Sequence, residues 1–263
     1  MNSNLDRIRG KLSENKLSIG TAAQINSQVV LEILCHCGLD FIWIDAEHAP
    51  FDKNDLNLAI MTVRSQGVAP FVRVSGTDPI AVKPILDMGP AAIIFPDIRT
   101  VEEAELAVAS CRYPPKGIRG FGPIRANNYS KIDTDKYLEI AREEPWVILQ
   151  LEHIDAVNDL DKIIKVEGIG SLAIGANDLS ASIGLLGQPK HPEVVKLLDK
   201  ITDTCKEADF PLGIGVGSSE EDIKHWIKIG VNWISLGTDI LYLLNGGSDA
   251  LRFANKAFEE NSS

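Results

Sequence analysis

The sequence predicts an α/β protein of the (β/α)8 TIM-barrel class. Eight short apolar runs alternate with stretches of helical periodicity, and 263 residues is about the length that eight such units need. Several runs end abruptly in polar side chains, as expected where buried parallel strands deliver ligand-binding groups to one end of a sheet. No Pro/Gly/Ser-rich linker or shift in composition divides the chain, so one domain over residues 1–263 is expected. An open doubly wound sheet is the alternative. Against it, no run is followed by a full Gly-x-Gly-x-x-Gly.

Residues 5–12 are expected to form a short capping helix, residues 17–23 the first strand and residues 27–37 the next helix. The second strand, within Asp40-Phe41-Ile42-Trp43-Ile44-Asp45, is rich in aromatic and β-branched side chains; it ends in Asp45, Glu47 and His48 before Ala49-Pro50 marks the turn. A helix over about 53–65 follows, with Asn54-Asp55 helping to start it. The third strand, residues 70–74, carries Arg73 on the face of Phe71. The helix after it runs over about 79–88, with Pro79 in its first turn and Gly89 at its end. Residues 91–95 form the fourth strand, ahead of a helix containing Glu102-Glu103-Ala104-Glu105. Residues 113–134 break the rhythm with two consecutive prolines and several glycines, and so long a loop is usually functional or an interface element. The remaining strands are expected at 147–152, 171–174, 212–216 and 233–236, with a last helix over about 240–258. Gln150 and Glu152 then share one face, and the sixth strand runs into Gly175-Ala176-Asn177-Asp178.

The 37 Asp+Glu outnumber the 26 Lys+Arg, for a formal charge of −11, and the basic residues form no stripe, so nucleic acid is not an expected partner. No run approaches the roughly 18 apolar residues of a membrane span, and residues 1–15 lack a signal-peptide core, so a cytoplasmic protein is expected. Cys35-His36-Cys37 lacks zinc-ligand spacing, and the 4 cysteines are expected to be buried free thiols.

In a barrel the strand ends face a common mouth, so the polar tips are read together. Glu152 and Asp178 offer hard oxygen ligands suited to Mg²⁺ or Mn²⁺, with positions left open for substrate. Zinc fits less well, because His153 is expected on the opposite face from Glu152 and no H-E-x-x-H pattern exists. His48 beside Asp45 and Glu47 has the makings of a general base oriented by a carboxylate. Arg73 requires a negative partner, either a neighbouring carboxylate or an anionic substrate. No lysine falls in a predicted strand or at its end, which leaves no Schiff-base nucleophile and directs carbanion chemistry to a metal. Each residue also has a plain reading. Asp178 suits a helix cap, Glu152 and Arg73 an inter-strand ion pair, and His48 a hydrogen-bonded loop position. Gly213, Gly215 and Gly217 suit close packing or a turn as well as a phosphate grip. Convergence on one end of one fold favours function for the first three.

Five segments carry a resemblance: Ile44-Asp45-Ala46-Glu47-His48-Ala49-Pro50, Pro70-Phe71-Val72-Arg73-Val74, Arg112-Tyr113-Pro114-Pro115-Lys116-Gly117-Ile118-Arg119-Gly120, Leu149-Gln150-Leu151-Glu152, and Asn177-Asp178-Leu179-Ser180 onward to His191-Pro192-Glu193-Val194. In order and spacing the chain resembles the HpcH/HpaI aldolases, metal-dependent (class II) pyruvate aldolases acting on 2-keto-3-deoxy sugar acids and 4-hydroxy-2-oxo acids. The resemblance implies a lyase that reversibly cleaves a 4-hydroxy-2-oxo acid to pyruvate and an aldehyde through a metal-stabilised enolate. It also implies a homo-oligomer, a hexamer with C-terminal helices exchanged between subunits. Glu152 and Asp178 would ligate the divalent cation (Mg²⁺, Mn²⁺ or Co²⁺), with Gln150, Asn177 and Glu47 around the substrate. Arg73 would hold the keto oxygen, His48 paired with Asp45 would move the proton, and Asp87 would be presented to a neighbouring subunit's site. Three positions depart from the family pattern. Ala46 replaces glycine, Asn177 replaces alanine, and Gly215 replaces a larger aliphatic residue near the pyruvate methyl. The same metal–enolate chemistry would serve oxaloacetate decarboxylation or citrate-lyase-like cleavage of a CoA ester. A non-catalytic barrel that binds small acids is the rival from another class.

Overall fold

A computed structural model of the chain describes residues 4–261. Eight parallel strands close into a barrel in sequence order, the last pairing with the first. They are β1 (Ser18–Ala23), β2 (Phe41–Asp45), β3 (Ala69–Arg73), β4 (Ala92–Phe95), β5 (Trp146–Leu151), β6 (Ser171–Ile174), β7 (Leu212–Val216) and β8 (Trp233–Thr238). Around them run α1 (Leu5–Ser13), α2 (Gln28–His36), α3 (Lys53–Ser65), α4 (Pro79–Asp87), α5 (Val101–Cys111) and α6 (Thr134–Ile140). The second half adds α7 (Ile154–Asn158), α8 (Leu160–Ile163), α9 (Ala176–Ser182), α10 (Pro192–Glu207), α11 (Glu220–Ile229) and α12 (Asp239–Asn261). The expected alternation is present. The helical layer after β5 is broken into α7 and α8, and that after β6 into α9 and α10.

Strand alternation sorts the core into two layers. Side chains such as Ile42, Ile44, Val72 and Ile93 pack outward against the helices. Phe41, Phe71, Trp146 and Trp233 fill the barrel, with the Phe41 and Phe71 rings stacked at 4.6 Å. Rings this large fit only because neighbouring strands carry glycine. A Cβ on Gly213 would lie 1.9 Å from Trp233, and one on Gly20 would lie 2.4 Å from Phe41. The Trp233 indole N–H donates to Ser171 Oγ at 2.8 Å, so the buried ring leaves no polar atom stranded.

Leu5 and Ile8 of α1 belong to this inner cluster. The helix is tied down by Arg7 and Lys11, 2.8 Å and 2.6 Å from the buried carboxylate of Asp40 just before β2. α3 spans the expected residues, and Asp55 helps to start it, with Asp52 rather than Asn54 at the cap. The Asp55 side chain returns a bond to the Asp52 N–H. The long segment before α6 is pinned by buried Arg119, which donates to Asp87 at 2.9 Å and lies 4.5 Å over the Tyr113 ring. Three cysteines are buried as expected, whereas Cys37, at the C-cap of α2, is exposed. No helix among the described residues is long and apolar enough to cross a membrane.

Candidate active site

The polar tips gather where a barrel keeps its ligands, at the carboxyl ends of the strands. Asp45 and Arg73 are the paired last residues of β2 and β3. Asp45 Oδ1 accepts from Arg73 Nε at 3.0 Å and Oδ2 accepts from Nη2 at 2.7 Å. The third guanidinium nitrogen, Nη1, lies 3.0 Å from Glu47 Oε2, and the group sits 5.3 Å from the centre of the Trp43 ring. Asp45 is 1% exposed. Burial pushes its carboxyl up, but Arg73, the Gln24 amide and the His48 backbone N–H outweigh burial and hold it below the ordinary range. Burial wins at Glu47, whose carboxyl is raised despite Arg73 and His48.

His48 departs from the expected pairing. Its ring Nε2 faces Glu47 Oε2 at 3.5 Å, while Asp45 meets His48 at the backbone N–H, 3.3 Å from Oδ1. The physical reason is competition: both Asp45 oxygens are already engaged by the arginine fork.

Glu152, one residue past β5, is buried. Its Oε1 accepts from the backbone N–H of Asp97 at 2.6 Å, and its Oε2 accepts from the Gln150 amide. Asp97 reaches it from a left-handed backbone position, φ 50°. The Glu152 carboxyl is pushed up to about 7, chiefly by burial, with Asp178 and Glu47 adding to the rise. Packing here is close. A Cβ on Gly175 would lie 2.4 Å from Glu152 Oε2 and 2.7 Å from Glu152 Cβ. Asp178 lies in the first turn of α9 and makes no cap; the N-cap position is Gly175. His153 supplies a cap instead, its Nδ1 accepting from the Asp155 N–H at 3.2 Å.

Two cavities open at this mouth. One of about 460 Å³ is bordered by Asp45, Arg73, Gln150, Asn177, Gly215 and Ser235, among others. The other, of about 440 Å³, is bordered by Glu47, Asp97, Arg99, Glu152 and His153. His48 and Asp178 border both and form the wall between them. Asp87 borders neither; it lies at the C-terminal end of α4, bonded to Arg119. The Arg73 partner read as Glu152 in the plain interpretation is Asp45 together with Glu47.

The donor set fits a hard divalent cation. The Asp178 charge disfavours ionisation of both Glu152 and Glu47, a negative surplus that a cation would relieve, and Gln150 Oε1 is buried without a hydrogen-bond partner among the described residues. No three His, Cys, Asp or Glu among the described residues converge tightly enough to hold an ion alone. A cation held by two carboxylates would leave coordination positions to substrate oxygens.

Residues 22–246 match the family model described as HpcH/HpaI aldolase/citrate lyase. The chain belongs to the HpcH/HpaI aldolase/citrate lyase family. It is 35% identical over 253 residues to the pyruvate aldolase of Rhizobium etli, covering 95% of this chain and 98% of that one. It is 32% identical over 252 residues to the 4-hydroxy-2-oxo-heptane-1,7-dioate aldolase of Shigella flexneri, covering 95% and 93%. Among solved structures, an HpcH/HpaI aldolase/citrate lyase family protein from Burkholderia cenocepacia superposes with a TM-score of 0.89 at 29% identity, covering 95% of this chain and 99% of that one. These HpcH/HpaI relatives run nearly the full length of the chain, so the mouth and the barrel are matched together. Gln24, Asp97 and Gly175 are contributors that sequence reasoning missed. Their signals are, in turn, a cross-strand amide, a backbone N–H and an absent side chain, none of which a one-dimensional pattern displays.

Proposed function

We propose that this protein is a divalent-metal-dependent lyase that reversibly cleaves a 4-hydroxy-2-oxo acid to a 2-oxo acid and an aldehyde. One observation carries the reading: a single mouth holds a carboxylate pair suited to a cation, Glu152 and Asp178, beside an arginine fixed by Asp45 and Glu47. The names of the aldolase relatives support it. A bound Mg²⁺, Mn²⁺ or Co²⁺ would supply Lewis-acid polarisation of the 2-oxo acid at Glu152 and Asp178.

The residues of the chain do the rest. Arg73, locked on two sides, presents fixed positive charge to the C2 oxygen, where negative charge grows as the bond breaks. Gln150 orients the acid end, and Asn177 offers an amide at the rim. His48, with Glu47 turning its ring, takes the proton from the C4 hydroxyl. The C3–C4 bond then breaks, the aldehyde leaves, and its electron pair passes through C3 to the C2 oxygen as an enolate. Proton return to C3 completes the 2-oxo acid. Alanine at Glu152 or Asp178 should abolish metal-restored release of 2-oxo acid from chelator-stripped protein; full activity in either variant rejects the assignment.

The same reading includes a homo-oligomer in a reducing cytoplasm. α12 leaves Leu243, Leu244, Leu251, Phe253 and Phe258 at least 60% exposed, an apolar surface suited to another subunit. Three buried free thiols accord with the compartment.

A further inference from the structure

The floor of the larger cavity carries a pair of residues that the retro-aldol steps leave unused. Gly215 of β7 and Ser235 of β8 stand opposite each other in the strand register, and both border the cavity. A Cβ built on Gly215 meets no atom within 4 Å, in contrast to Gly213 two residues earlier, where Trp233 occupies the space. Packing therefore does not require glycine at 215; the glycine leaves room. Ser235 is 2% exposed, and its Oγ has no hydrogen-bond partner among the described residues. Buried hydroxyls are normally paired, and an unpaired one is destabilising. Rotation about one bond turns a serine hydroxyl between staggered positions, and the cavity has space for a partner.

The chemistry of that partner is constrained by the surroundings. The arginine at this mouth is already engaged by Asp45 and Glu47, so a second substrate carboxylate placed against Ser235 would be buried without a cation. A methyl group would fill the space and leave the serine unpaired. A hydroxyl satisfies both conditions. Resting on the aldolase reading, which places the carboxyl and keto oxygens toward Arg73 and the carboxylate pair, the substituent on C3 is the part of the 2-oxo acid that reaches this floor. We propose that the preferred 2-oxo acid carries a hydroxyl on C3, as hydroxypyruvate does, with Ser235 hydrogen-bonding that hydroxyl and Gly215 making room for it.

The test is exchange of C3 protons for deuterium, a half-reaction that needs no aldehyde. The full chain with added Mn²⁺ is followed by NMR with pyruvate, hydroxypyruvate and 2-oxobutanoate, each corrected for the enzyme-free rate. Hydroxypyruvate should exchange with a kcat/KM about tenfold or more above the other two, the scale of one hydrogen bond made to a buried partner. Ser235→Ala and Gly215→Ala should each lower the hydroxypyruvate-to-pyruvate ratio by about tenfold, the first by removing the partner and the second by filling the space. The extra rise in melting temperature that hydroxypyruvate gives over pyruvate should shrink in the same variants, a readout independent of turnover. Preference for pyruvate or 2-oxobutanoate, or a ratio unchanged in both variants, overturns the proposal while leaving the aldolase reading in place. Exchange with none of the three rejects the aldolase reading itself.

Discussion

Asp45 and Arg73, side by side at the ends of β2 and β3, form a two-pronged ion pair at 3.0 Å and 2.7 Å, and Glu47 takes the remaining guanidinium nitrogen at 3.0 Å. All three nitrogens are fixed before substrate arrives, so the charge needs no reorganisation when the enolate forms. Lysine retains the charge and loses the planar fork. Arg73→Lys is expected to lower kcat by about 100-fold with metal affinity retained. Parallel steady-state kinetics and metal titration check this; collapse of metal affinity with normal turnover per bound metal would reject the role given to Arg73.

Gly175 has no side chain, and the space is taken by Glu152, whose Oε2 and Cβ would lie 2.4 Å and 2.7 Å from an added methyl. Gly175→Ala should therefore displace Glu152 and weaken metal binding by about 10- to 100-fold, the usual scale for a misplaced support of a metal ligand. Calorimetric titration measures the affinity, and circular dichroism confirms that the barrel remains folded. An alanine variant that binds metal as tightly as the parent would contradict the close packing.

Acidity enters through the same carboxyl. Glu152 is pushed up to about 7 by burial, with Asp178 and Glu47 adding to the shift and the Asp97 N–H and Gln150 opposing it. A cation takes the ionised form, so below about pH 7 each bound ion must displace a proton, and affinity should fall by close to tenfold per pH unit. In the metal-free protein the raised value works the other way. This group's contribution to stability is full below the ordinary glutamate value and is lost as pH rises through about 7. Melting temperature of stripped protein and metal affinity should thus move in opposite directions with pH. Affinity that is flat across this range would show that Glu152 is not a ligand.

Gly213→Ala places a methyl 1.9 Å from the Trp233 ring, in the most tightly filled layer of the barrel. Overpacking of this kind costs about 1–3 kcal/mol or more, measurable as a lower urea midpoint. Gly215→Ala, two residues along the same strand, meets nothing within 4 Å and should leave the midpoint within about 0.5 kcal/mol of the parent. Equal losses at the two positions would mean that the register of β7 is misassigned.

Assembly is tested on α12. Asp substituted for both Leu243 and Leu244, each 61% exposed in the isolated chain, should dissociate the oligomer without unfolding the barrel. Sedimentation of the parent and the double variant distinguishes this from a helix that stays in solvent, for which both would sediment as protomers.

The strands were legible because a doubly buried parallel strand has one-dimensional markers, an apolar run and a polar tip; β2, β6 and β7 begin and end where the residue pattern places them. The mouth was legible for the same reason, since Asp45 and Arg73 are the tips of the adjacent strands β2 and β3, and Gln150 and Glu152 lie at the tip of β5. What stayed hidden depends on contacts between strands. That His48 turns to Glu47 follows from Arg73 having already occupied Asp45, a competition three-dimensional in origin. Asp97 acts through a backbone N–H, which every residue but proline possesses, and Gly175 acts through the atoms it lacks. Ser235 looks like any polar residue in a strand until its neighbours are seen to offer it no partner.

The Gln24 side chain donates to Asp45 at 3.2 Å, and its backbone N–H donates to Asp239 at 3.0 Å, the residue that opens α12. Asp239 is itself 1% exposed and also receives the Ile25 N–H at 2.8 Å. Two side chains thus join the helix that faces outward to the carboxylate that aims Arg73. A subunit that gripped α12 would hold one end of a short tether whose other end is the arginine, so a contact that built an assembly there would also tension the site.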